Sequence, residues 1–350
     1  MKKNLFGYTL PAMRDEFVAL GQSKYRAKQV YLWVYQKGVY EFEKMSDISK
    51  DFRAVLERDY CLELPTIFTR QDSSDGTIKL LLEMQDGAKV ETVLMPYNYG
   101  DAICVSSQVG CNMGCAFCAS GLLKRERNLT SAEMMGEVLV MNKILKGLGR
   151  RVTHIVVMGT GEPFDNYDNV IAFIKSVNDQ AGLAIGARHI TVSTCGLPDG
   201  IRKYGKEGLQ VNLAISLHAP NDTIRNQIMP VSRAFDMEKL MSAIKEYEAD
   251  ADRRVTFEYI MLQDLNDSVE HANELADLIH HYGVFAYVNL IPYNEVKEKP
   301  FKRSPAPRIK AFAETLERRG IKTTIRKEFG SDIDAACGQL RSKHVKGAKK

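Results

Sequence analysis

The chain has no run of about 18 apolar residues, the length a helix needs to cross a bilayer, so no membrane span is expected in its 350 residues. Its opening, Met1-Lys-Lys-Asn-Leu-Phe-Gly-Tyr-Thr-Leu-Pro, carries two lysines but only a short, broken apolar stretch, which excludes a signal peptide and predicts a cytoplasmic protein. Cysteine is scarce. Seven residues, an odd number, exclude a disulfide scaffold and suit a reducing compartment where thiols bind metal or do chemistry. Internal repeats and low-complexity segments are absent. The glycine-rich loop Gly159-Thr-Gly-Glu162-Pro lacks the spacing and the lysine of a phosphate-binding P-loop. Charge of either sign is not in large excess, and a net +4 does not by itself indicate nucleic acid.

What is present is ordinary in bulk: 45% hydrophobic and 26% charged residues, in a chain long enough for a large enzymatic domain and a smaller one. Residues 1–88 read as the smaller unit. Helical spacing of apolar residues predicts helices over Met13 to Leu20, Tyr25 to Gly38 and Ser46 to Leu56. Lys24, Arg26, Lys28 and Lys37, interleaved with Tyr25, Tyr31 and Tyr35, form either a solvated face or an RNA-contacting one. A β-hairpin follows, turning at Ser73-Ser74-Asp75-Gly76. From Lys89 to Leu340 strand-like runs alternate with amphipathic helices, one of them announced by the capping signal Thr130-Ser-Ala-Glu133. That alternation predicts an α/β fold with a parallel sheet, open or barrel-like, and a site at the carboxyl ends of the strands. Residues 341–350 form a basic tail, and Lys124-Arg125-Glu126-Arg127 places further cations beside the stretch described next, as a polyanionic substrate requires.

That stretch is Cys111-Asn-Met-Gly-Cys115-Ala-Phe-Cys118. Three thiolates at this spacing converge on something electrophilic, and no fourth cysteine lies nearby. Structural zinc normally takes four protein ligands, and a four-iron cluster that only carries electrons takes four cysteines. Three ligands on such a cluster leave one iron open to a substrate or cofactor. A zinc knuckle completed by a histidine or a distant cysteine is the alternative.

The triplet resembles the cluster loop of radical S-adenosylmethionine (SAM) enzymes, in which SAM chelates the open iron. The wider set of strings narrows the resemblance. Besides the triplet it includes Arg127-Asn-Leu-Thr130, Met158-Gly-Thr-Gly-Glu162-Pro, Ile190-Thr-Val-Ser193-Thr-Cys-Gly196, Ser216-Leu-His218-Ala, Val288-Asn-Leu-Ile-Pro292-Tyr-Asn294 and Asp332-Ile-Asp334-Ala-Ala-Cys337-Gly-Gln-Leu340. Together these are similar to the RlmN type of dual-specificity RNA methyltransferase over nearly the whole chain. Thr160 stands where that family more often carries methionine, a change expected to leave SAM binding intact.

The resemblance implies a partial (βα)6 radical SAM barrel with a small N-terminal helical RNA-binding domain and a connecting β-hairpin. It implies a 4Fe–4S cluster on Cys111, Cys115 and Cys118, and SAM contacts at Phe117, Gly161, Glu162, Ser193, Ser216, Leu217, His218 and Asn294. The implied reaction is methylation of carbon 2 of adenine in 23S rRNA, in the peptidyl-transferase region, and in tRNA next to the anticodon. Two SAM molecules are used per turnover. Cys337 takes a methyl group from one; the second is cleaved to a radical that activates it for addition to the base. Cys104 then releases the product through a transient disulfide, with Glu91, or Cys104 itself, as proton acceptor. Partners implied are the RNAs and an electron donor such as flavodoxin or ferredoxin, with the enzyme a monomer. Cfr-type methylation of carbon 8 is the neighbouring activity. A metal-binding RNA module and a radical SAM enzyme of small molecules also remain open; the first gives no reason for the glycine–glutamate loop, the second none for Cys104 with Cys337. Cys61 and Cys195 are expected to be structural.

Overall fold

The chain enters through β1 (Lys3–Asn4) and three helices, α1 (Leu10–Ala19), α2 (Lys24–Leu32) and α3 (Lys50–Asp59), before β2 (Tyr60–Cys61) returns to pair with β1 in parallel. The computed structural model describes residues 2–333 and Leu340. Thr9 and Ser23 accept backbone N–H bonds at the starts of α1 and α2, the expected use of a hydroxyl where helical amides lack partners. The helix expected from Tyr25 to Gly38 winds regularly only to Leu32. Trp33–Lys37 is wound wider, and Gly38, at φ 68°, takes the left-handed conformation that stops it. The supposed tyrosine face is also corrected: Tyr31 and Tyr35 are buried, 4.5 Å apart, and only Tyr25 points outward. The helical period carries those two rings onto the core side.

β3 (Thr66–Asp72) and β4 (Ile78–Glu83) form the expected hairpin, closed by Gly76 N donating to Ser73 O at 3.0 Å. Then β5 (Lys89–Tyr97) and β6 (Gly100–Cys104) continue antiparallel in the same sheet. A short ribbon, β7 (Gln108–Val109) with β8 (Arg127–Asn128), brackets the cysteine stretch. From there strands and helices alternate: α4 (Ser131–Lys146), β9 (Val152–Val157), α5 (Tyr167–Asn178), β10 (Ile190–Thr194), α6 (Pro198–Gly205), β11 (Asn212–Ser216), α7 (Asp222–Ile228), α8 (Met237–Ala251), β12 (Val255–Met261), α9 (Val269–Tyr282), β13 (Ala286–Pro292), α10 (Ala306–Arg318) and β14 (Thr323–Ile325). The ten-stranded sheet has the order β14-β13-β12-β11-β10-β9-β6-β5-β4-β3. Every pairing from β6 to β14 is parallel. This is a partial barrel of six βα units, with a helical unit before it and a hairpin joined to its edge.

The capping box at Thr130 is formed: Glu133 N donates to Thr130 Oγ1 at 3.2 Å, and Thr130 N to Glu133 Oε2 at 2.8 Å. Helices cover the outer face of the sheet. One buried apolar cluster runs from Leu5, Phe6 and Tyr31 of the helical unit through Met134, Val138 and Phe173 to Phe257 and Leu316. No helix among the described residues is long and apolar enough to cross a membrane.

Candidate active site

The inner face of the barrel opens onto a cavity of about 330 Å³. Its walls at the carboxyl end are the loops after β6, β9, β10, β11 and β13, where the alternating pattern places the unusual residues. Cys111, Cys115 and Cys118 line it, and so does Cys104 at the end of β6. The cysteine loop is fixed locally. Ala116 N donates to Ile228 O at 2.8 Å, and Cys111 N to Leu123 O at 3.1 Å. Gly110, at φ 80°, lies where a Cβ would come within 2.2 Å of Lys124 O, so the loop requires glycine there. Phe117 meets His218 edge to face at 5.0 Å, and Tyr293 Oη donates to Phe117 O at 3.2 Å.

Burial pushes the Cys111 thiol up to about 11 and that of Cys115 higher still, because a bare thiolate is costly in apolar surroundings. A cationic centre reverses that preference by ligating the sulfur as thiolate. Cys111, Cys115 and Cys118 line one cavity and lie near enough for each to raise the pKa of a neighbour; three closely spaced thiols of one loop are the donors of a cluster with one iron left open. The donor set fits a 4Fe–4S cluster.

Glu162 is buried. Its Oε1 accepts from Phe164 N at 3.0 Å and its Oε2 from Cys195 N at 2.7 Å, while burial raises its pKa. The carboxylate therefore caps the turn after β9 and ties it to the loop after β10, while lining the cavity. Gly161, at φ 118°, could not carry a side chain: a Cβ would stand 2.6 Å from Ser107 Oγ. Ser193 and Ser216 face each other across adjacent strands, Oγ to Oγ 3.5 Å, and both line the cavity with His218 and Asn294. His218 is neutral: burial drops its pKa to about 3, and its Nδ1 accepts from Ile260 N at 3.1 Å. Leu217 is different. Its side chain is in the core, and it offers only backbone to this region, its N–H donating to Glu258 O at 3.1 Å.

Glu91 is neither a solvated strand-edge group nor part of the cavity wall. It is buried beside Lys79, which is wholly buried, at 3.0 Å. It shares a sheet face with Val93, and Val93 stands directly opposite Cys104. Cys337 lies outside the described residues, as do Asp334 and the tail 341–350. The segment leading to Cys337 is anchored: Asp332 accepts from Ser73 Oγ and from Ser74 N (3.0 Å), and Asp75 accepts from Gly330 N at 2.9 Å. The hairpin turn thus clasps the chain just before the predicted carrier cysteine. Arg125 and Arg127 are already engaged, the first with Asp165, the second with Asp86 and Glu133, so these two cations staple the loop rather than stand open beside it. Cys195 is buried on the cavity wall, and Cys61 lies far off, its Sγ against Lys2 O.

Three polar groups escaped the sequence reading. Glu258 lines the cavity, accepts from Asn289 Nδ2 at 2.8 Å, and is pushed up by burial. Its signal was a single acid within the apolar strand Val255–Met261, at an inward-facing register position. Arg225, wholly buried, donates to the carbonyls of Cys195 (2.7 Å) and Leu217 (3.3 Å), joining two site loops. Glu137 of α4 accepts from Ser106 N at 3.1 Å, and Ser106 Oγ in turn donates to Glu91 O and accepts from Thr160 N.

Comparison with known proteins agrees with this arrangement. Residues 3–62 match the model of the ribosomal RNA large subunit methyltransferase N-terminal domain, and residues 105–279 that of the radical SAM superfamily. A Spiroplasma citri protein named "Probable dual-specificity RNA methyltransferase RlmN" is 52% identical over 341 residues, covering 97% of this chain and 98% of its own. A Streptococcus pyogenes serotype M2 protein of the same name is 51% identical, over 99% and 97%. The crystal structure of a radical SAM methyltransferase from Sphaerobacter thermophilus superposes with a TM-score of 0.91 at 40% identity, covering 96% of this chain and 98% of that one. Likeness of this depth, carried end to end, makes the protein a member of the RlmN family within the radical SAM superfamily, whose members take SAM and a 4Fe–4S cluster.

Proposed function

We propose that the chain methylates carbon 2 of adenine in RNA, acting on 23S rRNA in the peptidyl-transferase region and on tRNA beside the anticodon. The observation that carries the proposal is that the cysteine triplet and Cys104 line one cavity; with the triplet given to a cluster, Cys104 is left for the chemistry of the carried carbon. Carbon 2 lies between two ring nitrogens and is too electron-poor to attack the methyl group of SAM directly. Cluster and SAM, when bound, supply one-electron cleavage of SAM at the open iron. The protein's own part is to hold the cluster with Cys111, Cys115 and Cys118, to seat SAM against Phe117, Glu162, Ser193, Ser216, His218 and Asn294, and to carry the carbon on Cys337. Two SAM molecules are consumed, one of them methylating Cys337. Once the carbon borne by Cys337 has bonded to carbon 2 of the base, the Cys104 thiolate attacks the Cys337 sulfur. The S–S bond forms, the bond from that sulfur to the transferred carbon breaks, and the electron pair left on that carbon takes up a proton to complete the methyl group. The proton acceptor is Glu91, paired with Lys79 on the sheet face next to Cys104, or Cys104 itself, which lines the cavity. The RlmN names of the relatives support carbon 2 over the Cfr-type carbon 8. A flavodoxin or ferredoxin as reductant, a cytoplasmic location and a monomeric state complete the proposal.

Mass spectrometry of the Cys337 peptide after anaerobic expression tests it, alongside a Cys104→Ala variant. The expected results are a methyl adduct in the wild type and RNA trapped on Cys337 in the variant, with 2-methyladenosine in digested substrate RNA. An unmodified Cys337 and no trapped RNA, in a protein that holds its cluster and cleaves SAM, would overturn it.

A further inference from the structure

The parallel strands have a second end, opposite the cysteine loop, and it carries an aromatic chain that the reaction does not use. Phe329 lines the cavity beside Cys104. Its ring lies 4.6 Å from Tyr97, and Tyr97 stacks on Tyr99 at 4.8 Å with planes 18° apart. Tyr99 meets His154 at 5.0 Å, and His154 stacks on His189 at 4.2 Å and 21°. The series therefore runs from the cavity to solvent across the starts of β6, β9 and β10. Tyr99 is 67% exposed, at the tip of the two-residue β5–β6 hairpin, where Asn and Gly are the usual choices and no core needs a ring. His189 is exposed as well.

Cations continue the arc along the same edge. The Arg254 guanidinium stands 3.4 Å over the Tyr287 ring, with Lys322 at 5.5 Å and its Nζ donating to Tyr287 Oη at 3.4 Å, while Lys327, on the cavity wall, stands 4.8 Å over Phe329. Nearby acids are already neutralised, Asp101 by Arg150 and Glu328 by Arg303. Exposed rings that each stack on one inner neighbour, Tyr99 on Tyr97 and His189 on His154, lie beside cations that rest on the Tyr287 ring and hydroxyl. They resemble the surface that single-stranded nucleic acid takes: bases stack on outward ring faces and phosphates meet the cations.

We propose that the Tyr97–Tyr99–His154–His189 ladder, with Arg254 and Lys322, is a stacking platform for unpaired RNA nucleotides flanking the target adenine. The inference rests on the RNA reading above and adds a binding surface to it. Its geometry suits both substrates for one reason: stacking ignores base identity, so one platform serves a ribosomal loop and an anticodon loop of different sequence.

The test uses the cluster-loaded full chain under anaerobic conditions, with transfer RNA and its anticodon stem-loop as probes. Tyr99→Ala should raise Kd and KM for both RNAs about tenfold, the loss of one base–aromatic stack, and Tyr99→Phe should restore them. Arg254→Ala should lower the slope of log Kd against log salt by about 0.7, the share of one single-strand phosphate contact. SAM cleavage driven by dithionite without RNA should be unchanged in all three variants. A wild type that binds and methylates RNA, with Tyr99→Ala equal to it, overturns the platform alone. A wild type that does neither overturns the RNA reading and the platform together. Variants that slow only flavodoxin-driven SAM cleavage, with RNA affinity intact, assign the surface to the reductant and also overturn it.

Discussion

At the scale of single residues, burial decides charge. His218 sits at φ 60° with its Nδ1 held by Ile260 N, and its pKa is about 3 against an ordinary 6.5. The fold therefore keeps this imidazole neutral while the unfolded chain protonates it. Its contribution is complete above about pH 6.5 and is lost as pH falls toward 3, because the unfolded state binds the extra proton. His218→Asn keeps an acceptor and tolerates the left-handed backbone, so urea midpoints measured between neutral and acidic pH should fall less steeply than in the wild type. The buried Lys79–Glu91 pair behaves differently. Lys79→Met should cost about 3–5 kcal/mol by leaving a buried carboxylate without this partner, whereas Lys79→Met with Glu91→Leu should cost less than the sum of the two single changes. Denaturant melts of the four proteins check this, and strict additivity would refute the coupling.

At the scale of elements, the hairpin β3–β4 does more than extend the sheet. Its turn holds Gly330 through Asp75, and Ser73 and Ser74 hold Asp332, a few residues before Cys337. The amide and hydroxyl donors lower the pKa of both carboxyls below the usual range. Ionised Asp75 and Asp332 thus favour the clasp above about pH 4, and it loosens as pH drops further and the carboxyls protonate. Asp332→Ala should speed proteolytic cleavage near residue 330 at neutral pH and reduce methylation of Cys337, while leaving SAM cleavage without RNA unaltered. Unchanged proteolysis would show that the clasp does not hold the segment. The hairpin turn was legible from Ser73-Ser74-Asp75-Gly76; its partner was not, because 255 residues separate Asp75 from Gly330.

At the scale of the whole molecule, the helical unit and the barrel share one core. Tyr31 Oη reaches Ser176 O on α5 at 3.5 Å, and a Cβ on Gly7 would stand 3.3 Å from that of Ala132 at the start of α4. With apolar residues continuous from Phe6 to Leu316, calorimetry should show the N-terminal helices unfolding with the barrel in one transition. A separate early transition, lost when residues 1–62 are removed, would contradict this.

The succession of elements and the residues at the strand ends were legible along the chain, because both rest on short-range chemistry. Period-two and helical spacing set strands and helices; the capping box set the start of α4; the cysteine spacing marked the cluster loop. The same periodicity placed Cys104 on the strand feeding that loop. What depends on neighbours distant in the chain took shape only in the folded molecule. Folding turned Tyr31 and Tyr35 inward, committed Arg125 and Arg127 to carboxylates of other segments, and buried Glu91 against Lys79. Glu258 and Arg225 gained their meaning only when parallel strands aligned their rows and stripped their side chains of water. Local pattern fixes which way a side chain alternates; the cost of removing a charge from water, and the partner that offsets it, exist only once the sheet has closed around the cavity.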